Sequence, residues 1–173
     1  MKTETQKTPE LIQLAKLLAD QSVAMLTTPQ SDGTLTSRPM AALEMDVHGA
    51  IWFFTDLFSS KGDQLAKVNL SFADPGNSCY VSMAGRGEII ADHAMNERLW
   101  TPFARPWFPD GPDSANLALL KFIPDSAEYW DSKHSKMVRM FAVAASIVAA
   151  KPIGMGDHDT LTGLSKPVPS LAP

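Results

Sequence analysis

Between Val23 and Thr55, short β-prone runs alternate with turn signals spaced too closely for helices to cross between strands. Val23-Ala24-Met25-Leu26-Thr27 predicts a strand. The Asp32-Gly33 pair that ends Pro29-Gln30-Ser31-Asp32-Gly33 favours the positive φ of a tight turn. Residues 34–44 predict the returning strand, in which Pro39 requires an edge or a bulge because it donates no ladder hydrogen bond. Asp46-Val47-His48-Gly49 then turns the chain into a third strand over residues 50–55. A meander of this kind confines the chain to antiparallel pairing, and short strands with close turns are the pattern of a barrel.

The flanking segments extend the same scheme. Thr8-Pro9-Glu10 predicts a helix start, with a hydroxyl cap, a proline at the first helical position and a carboxylate near the positive end. Leu11, Leu14, Leu17 and Leu18 repeat at helical spacing as far as Asp20-Gln21-Ser22. Ser59 or Ser60 caps a second helix through about Val68, followed by strands over residues 69–73 and 78–84. Gly85-Arg86-Gly87 breaks or bends the chain before residues 88–91 continue it, and a helical piece ends near Trp100. Pro102, Pro106, Pro109 and Pro112 make residues 101–114 a loop, in which the Trp107-Phe108 pair is expected to be shielded from water. Two further strand segments follow at residues 117–123 and 127–131, then a helix over residues 134–150. The expected organisation is one domain over residues 1–153 with a loosely held tail over residues 154–173.

Composition excludes several function classes. The chain has 173 residues and a formal charge of −4, so it lacks the basic surplus needed to displace counterions from nucleic acid. Its single cysteine, Cys79, leaves no intrachain disulfide framework and fits a reducing compartment. Met1–Gln6 is polar, without the apolar core of a signal peptide, and the apolar run at residues 140–150 is too short to cross a bilayer. A cytoplasmic protein without membrane attachment is expected.

The residues with chemical potential concentrate between Ser37 and Lys61. A phosphate is best held by a guanidinium fork, an ammonium, hydroxyls and backbone N–H groups at a helix start. Arg38 supplies the fork, and Ser59, Ser60 and Lys61 supply the rest. Spacing alone is a weak signal, because Ser-Ser-Lys at a helix start is more often a cap with a solvated lysine, and a single arginine more often a surface ion-pair partner. Trp52, Phe53 and Phe54 alternate on a strand, so Phe53 points opposite to its neighbours, and core or interface packing explains all three. His48, His93, His134 and His158 have no metal-ligand spacing, Cys79 has no adjacent base, and Glu128 and Asp131 suit surface or hydrogen-bonding roles. No metal site is expected.

Taken in order, Ser37-Arg38-Pro39-Met40, Trp52-Phe53-Phe54-Thr55-Asp56 and Ser60-Lys61 resemble the FMN-binding split-barrel superfamily that contains pyridoxamine 5′-phosphate oxidase. Asp74-Pro75-Gly76, Tyr80–Gly85, Leu99-Trp100, Trp107-Phe108-Pro109-Asp110-Gly111, Leu119-Leu120-Lys121 and Ala127-Glu128-Tyr129-Trp130-Asp131 are similar to its general stress protein branch. The resemblance runs over roughly residues 8–150. It implies a mainly β fold: a six-stranded antiparallel split barrel with an N-terminal and a C-terminal helix, forming a homodimer with the flavin between subunits. By position it assigns the cofactor phosphate to Arg38, Ser60 and Lys61, and the ring and ribityl chain to the backbone edges of Arg38, Pro39 and Met40 and of Phe53, Phe54 and Thr55. Ser82, Trp107 and Trp130 become candidates from the facing subunit. The implied cofactor is FMN, with FAD as the alternative.

Two departures bear on function. Phe58 stands in the segment before Ser60-Lys61, where relatives are more polar. The C-terminal tail also lacks the basic, aromatic strand with which the vitamin oxidase grips its substrate phosphate. The resemblance therefore implies an FMN-dependent oxidoreductase of unspecified substrate. The alternatives are a flavin-binding stress or storage module without turnover, pyridoxamine 5′-phosphate oxidase proper, and a barrel that binds some other phosphorylated or planar ligand.

Overall fold

The computed structural model describes residues 1–57, 62–131, 157–162 and 164. The expected meander is present. Strand β1 is Lys2–Thr3, β2 Val23–Pro29, β3 Leu35–Met45, β4 Ile51–Asp56, β5 Val68–Asp74, β6 Cys79–Ile90, β7 Leu117–Asp131 and β8 Asp157–Thr162. Strands β3-β2-β5-β6-β7-β4 pair in that order, and β4 returns to β3, closing a six-stranded antiparallel barrel. Gly33 and Gly49, at φ +84° and +81°, occupy the two turns of the meander where a left-handed backbone is required.

Alternation along each strand builds the core. Ala24 and Leu26 of β2, Leu70 and Phe72 of β5, Val81 and Met83 of β6 and Phe122 of β7 are buried in one cluster with Phe53. Helix α1, Pro9–Leu18, lays Leu11, Leu14, Leu17 and Leu18 on this cluster. Thr8 caps it, its Oγ1 accepting from Leu11 N at 3.3 Å, with Pro9 in the first turn as the sequence predicts. Trp52 points the other way from Phe53 and packs with Leu99 and Leu119 in a second cluster, under helix α2, His93–Leu99.

Three features differ from expectation. Of the two outcomes expected at Gly85-Arg86-Gly87, a break or a bend, a bulge is found rather than a break, and β6 and β7 are each continuous where separate strand segments were expected. Gly85 pairs with Pro124 and Ala84 with Ser126, so the glycine and the proline face each other across a bulge that leaves Asp125 extra on β7. A Cβ at Gly85 would meet the Ile123 carbonyl oxygen and would lie 3.0 Å from Pro124 Cα, so the ladder closes only around a glycine. The helix expected up to Val68 is, over the described residues, a single 3₁₀ turn at Gly62–Leu65. Within the expected tail, β8 pairs antiparallel with β7 from Asp131↔Asp157 to Ser126↔Thr162, and Leu164 is buried in the core cluster. The helix expected at residues 134–150 lies outside the described residues.

No helix among the described residues is long and apolar enough to cross a membrane. The bulge carries a direct test. Gly85→Ala should cost about 2–3 kcal/mol by forcing backbone apart in a packed ladder, read as a lower urea midpoint. Ala84→Ser, one residue away with an exposed side chain, should leave the midpoint within about 0.5 kcal/mol.

Candidate functional site

The site begins where a ladder ends. β3 pairs with β2 over Leu35–Ala41 but reaches β4 only through Met45↔Ile51, Glu44↔Trp52 and Ala42↔Phe53, with a register shift that leaves Leu43 as a bulge. Beyond Ala42 and Phe53 the two strands part. The gap is a cleft of about 440 Å³, with residues 38–41 and Leu43 on one side and Phe54, Thr55 and Asp56 at its base.

The opposite wall is the proline-rich loop. Pro102–Ala104 is one 3₁₀ turn, and Trp107 N and Phe108 N both donate to Ala104 O at 3.1 Å, so the segment is a succession of tight turns. Ala104 and Phe108 are buried with Leu117. Phe54 joins the walls: its ring lies 5.6 Å from that of Trp100 and 6.3 Å from that of Phe108, while the same side chain lines the cleft. The next 3₁₀ turn, Gly111–Asp113, is tied to α2 by His93 Nε2 and Asp113 Oδ1 at 2.8 Å. That contact raises the pKa of the exposed His93.

The loop hangs from α2, and α2 is held by a buried carboxylate. Glu44 is 1% exposed, and its two oxygens take Arg98 Nη1 at 2.8 and 3.1 Å and Lys2 Nζ at 3.3 Å. The charge is therefore matched by cations from α2 and from β1, which pairs parallel to β3 at this point. On the cleft floor, Asn116 Nδ2 donates to Asp56 Oδ2 at 2.5 Å and Leu57 N to Asn116 O at 2.8 Å.

The structure brings Arg38, Pro39, Met40, Phe54, Thr55 and Trp107 together in the cleft. Arg38 is half-buried opposite Leu26 of β2, and burial lowers its guanidinium pKa from the ordinary value. Arginine nonetheless remains a cation at any working pH. The Phe53 side chain does not line the cleft; it is fully buried in the barrel core, which leaves only its backbone for the expected edge contact. Ser60 and Lys61 lie outside the described residues. Trp107, expected from a facing subunit and in shielded surroundings, lines the cleft of its own chain and is 73% exposed, while its neighbour Phe108 is buried.

Ser82 and Trp130 are elsewhere, on the outer face of the sheet. Ser82 Oγ accepts from Asn69 Nδ2 at 2.9 Å, and Trp130 is the register partner of Tyr80. Cys79 is buried against the end of α1, its thiol pushed up by burial and by nearby carboxylates, which suits an inert thiol. No cluster of metal-ligating side chains occurs among the described residues.

Leu43, Asp56, Thr101 and Phe103 also line the cleft, and the sequence did not single them out. Leu43 is found only through the register shift. Phe103 did carry a signal, as a large aromatic set among prolines in a segment without strand or helix periodicity.

The sequence pattern of the family described as "Pyridoxamine 5′-phosphate oxidase like" matches residues 10–153. Among solved structures, the chain is similar to the general stress FMN/FAD binding protein of Xanthomonas citri. That match has 34% identity and a TM-score of 0.62, and covers 74% of this chain and 93% of that one. It is also similar to a Clostridium acetobutylicum protein related to general stress protein 26 of B. subtilis, at 25% identity and a TM-score of 0.61, covering 72% and 91%. Among characterised sequences, Protein bli-3 of Neurospora crassa is 24% identical over 163 residues, which is 87% of this chain and 78% of that one.

The buried ion pair predicts the stability of the loop wall. Arg98→Met leaves Glu44 short of a partner and should cost about 2–3 kcal/mol, less than a fully buried pair because Arg98 is partly exposed. Arg98→Lys should recover part of that loss. Urea denaturation of the two variants beside the parent checks the order.

Proposed function

The chain belongs to the pyridoxamine 5′-phosphate oxidase-like family, and on that premise we propose that it binds flavin mononucleotide in the split between β3 and β4. The observation that carries this reading is the cleft itself: a half-buried arginine at a strand edge, parted strands below it and an aromatic loop opposite. Its volume of about 440 Å³ falls within the range of roughly 300–1,000 Å³ usual for small-molecule and cofactor sites. The name of the Xanthomonas citri protein, a general stress FMN/FAD binding protein, supports the same assignment.

The residues divide the work by chemistry. Arg38 holds the phosphate as a charge-assisted fork, with Ser60 and Lys61 joining it from the segment before Gly62–Leu65. Residues 38–40, Phe54 and Thr55 orient the ring and ribityl chain along the parted edges, and Phe54 excludes water from the base. A bound flavin supplies electron and hydride transfer. The described lining contains no histidine, lysine or cysteine, which fits a site that leaves the chemistry to its cofactor. The activity we propose is that of an FMN-dependent oxidoreductase.

A second copy completes the arrangement. Val23, Met25, Tyr80 and Trp130 are exposed at 55%, 42%, 42% and 42%. They stand on the outer face of β2, β6 and β7, separated by small side chains of β5 such as Ser71. An apolar face of this kind suits an isologous homodimer, and Ser82 and Trp130 could approach a flavin only from a facing subunit. A vitamin B6 oxidase is disfavoured, because the C-terminal sequence lacks the basic, aromatic pattern with which that enzyme grips its substrate phosphate.

The purified protein should be yellow or take up FMN at one per chain, with the extracted cofactor identified as FMN. Arg38→Ala and Lys61→Ala should each weaken FMN by about 1–3 kcal/mol, measured by quenching of flavin fluorescence. Normal affinity in both variants would place the phosphate elsewhere, and no FMN uptake would remove the reading. Sedimentation equilibrium should give a dimer. Anaerobic reduction of the bound flavin by NADH or NADPH separates turnover from storage.

A further inference from the structure

The base of the cleft carries a polar side chain suited to neither a ring nor a phosphate. Asp56 is the last residue of β4, half-buried, and lines the cleft two residues beyond Phe54. Asn116 Nδ2 donates to its Oδ2 at 2.5 Å, and Leu57 N donates to Asn116 O at 2.8 Å. Since Asp56 pairs with Leu117, these two bonds carry the β4–β7 ladder one step further and hold the carboxylate from the β7 side. A side chain fixed in this way meets a ligand with its orientation already set.

Register gives the level of Asp56 along the split. β3 and β4 last pair at Ala42↔Phe53, and moving three residues on along each strand brings Pro39 level with Asp56, next to Arg38. A carboxylate accepts hydrogen bonds and donates none. Its two oxygens offer about four lone-pair sites, so the bond from Asn116 leaves room for others. It repels a phosphate but takes charge-assisted hydrogen bonds from hydroxyls. In flavin mononucleotide the group next to the phosphate is a sugar-alcohol chain, which bears those hydroxyls.

We infer that Asp56 is a specificity-determining residue that accepts hydrogen bonds from the ribityl hydroxyls, and that Asn116 is the positioning residue that orients its carboxylate. This deepens, and rests on, the reading that the cleft binds flavin with its phosphate at Arg38. The pair selects a flavin by its sugar-alcohol chain, independently of ring and phosphate.

The test uses full-length protein freed of bound flavin and compares three probes by equilibrium dialysis. These are FMN, riboflavin, which lacks the phosphate, and lumiflavin, which carries a methyl group in place of the ribityl chain. The parent should bind riboflavin at least about tenfold more tightly than lumiflavin. Asp56→Ala should weaken riboflavin and FMN alike by about tenfold and leave lumiflavin within about twofold of the parent. Asp56→Asn keeps the shape and a neutral acceptor, and Asn116→Leu removes the donor that orients the carboxylate. Each should weaken riboflavin and FMN about threefold. Retained lumiflavin affinity shows that the cleft still stands, and Asp56→Asn keeps the comparison valid where the alanine destabilises β4.

Lumiflavin that weakens as much as riboflavin would give Asp56 a structural role or place it at the ring, and overturns the inference. FMN that binds unchanged or more tightly to Asp56→Ala also overturns it, since that is what a carboxylate merely standing beside the phosphate would produce. So does a parent that holds lumiflavin as well as riboflavin, or that binds no riboflavin. Parental riboflavin affinity in Asn116→Leu overturns the role of Asn116. None of these results touches the flavin reading while Arg38→Ala weakens FMN. A parent that takes up no FMN removes both readings together.

Discussion

Everything at the site depends on where the β3–β4 ladder stops. Up to Ala42↔Phe53 the two strands close the barrel; past the bulge at Leu43 they separate. A fully zipped β3–β4 pair would leave no cleft, and one parted from the start would leave no barrel. Neighbouring strands compensate for the short pairing. β4 keeps its full length against β7, and β3 keeps residues 35–41 against β2, so each parted strand remains held along its other edge. The cleft is thus bounded by rigid backbone on one side.

The other side is held by unlike forces. Phe54 and Phe108 fix the proline-rich loop by apolar packing, and Arg98 fixes α2 to Glu44 by charge. The ion pair lies next in sequence to the bulge, so the residue that ends the ladder and the residue that anchors the opposite wall are neighbours. Shifting β3 by one residue would exchange Leu43 and Glu44 between faces, placing a carboxylate at the cleft and an aliphatic chain against Arg98. Register at that one step therefore sets both the shape of the cleft and the attachment of its far wall.

Much of this was legible in the sequence where local chemistry decides. The turns at Asp32-Gly33 and Asp46–Gly49, the cap at Thr8-Pro9 and the opposed directions of Trp52 and Phe53 follow from dihedral preference and strand alternation. What was not legible depends on partners distant in sequence. Gly85 reads as a break or bend and residues 124–126 as a gap between strand segments, yet Gly85 and Pro124 meet across one ladder and share a bulge. Asp157–Thr162 reads as tail because its pairing comes from the free edge of β7 rather than from its own propensity. Of the candidate site residues, Arg38 to Met40 were found through the motif they form. Alternation sends the Phe53 side chain into the core, as expected, and leaves only its backbone to face the split, while the side chain that reaches the cleft is Phe54. Phe103 belongs to a loop whose fold no period reveals.

Barrel closure also bears on when the cleft can exist. The β4–β7 ladder joins Asp56 to Leu117 and Ile51 to Phe122, so the intervening chain must be gathered before those strands meet. Non-local pairing of this kind carries a loop-closure entropy that slows folding. Both walls of the cleft meet at that junction, β4 directly and the loop through Leu117. An incompletely closed chain offers a ligand no partial cleft. Occupancy thus reports closure of the whole barrel, and a ligand held there stabilises the folded state globally, by RT ln(1 + [L]/Kd).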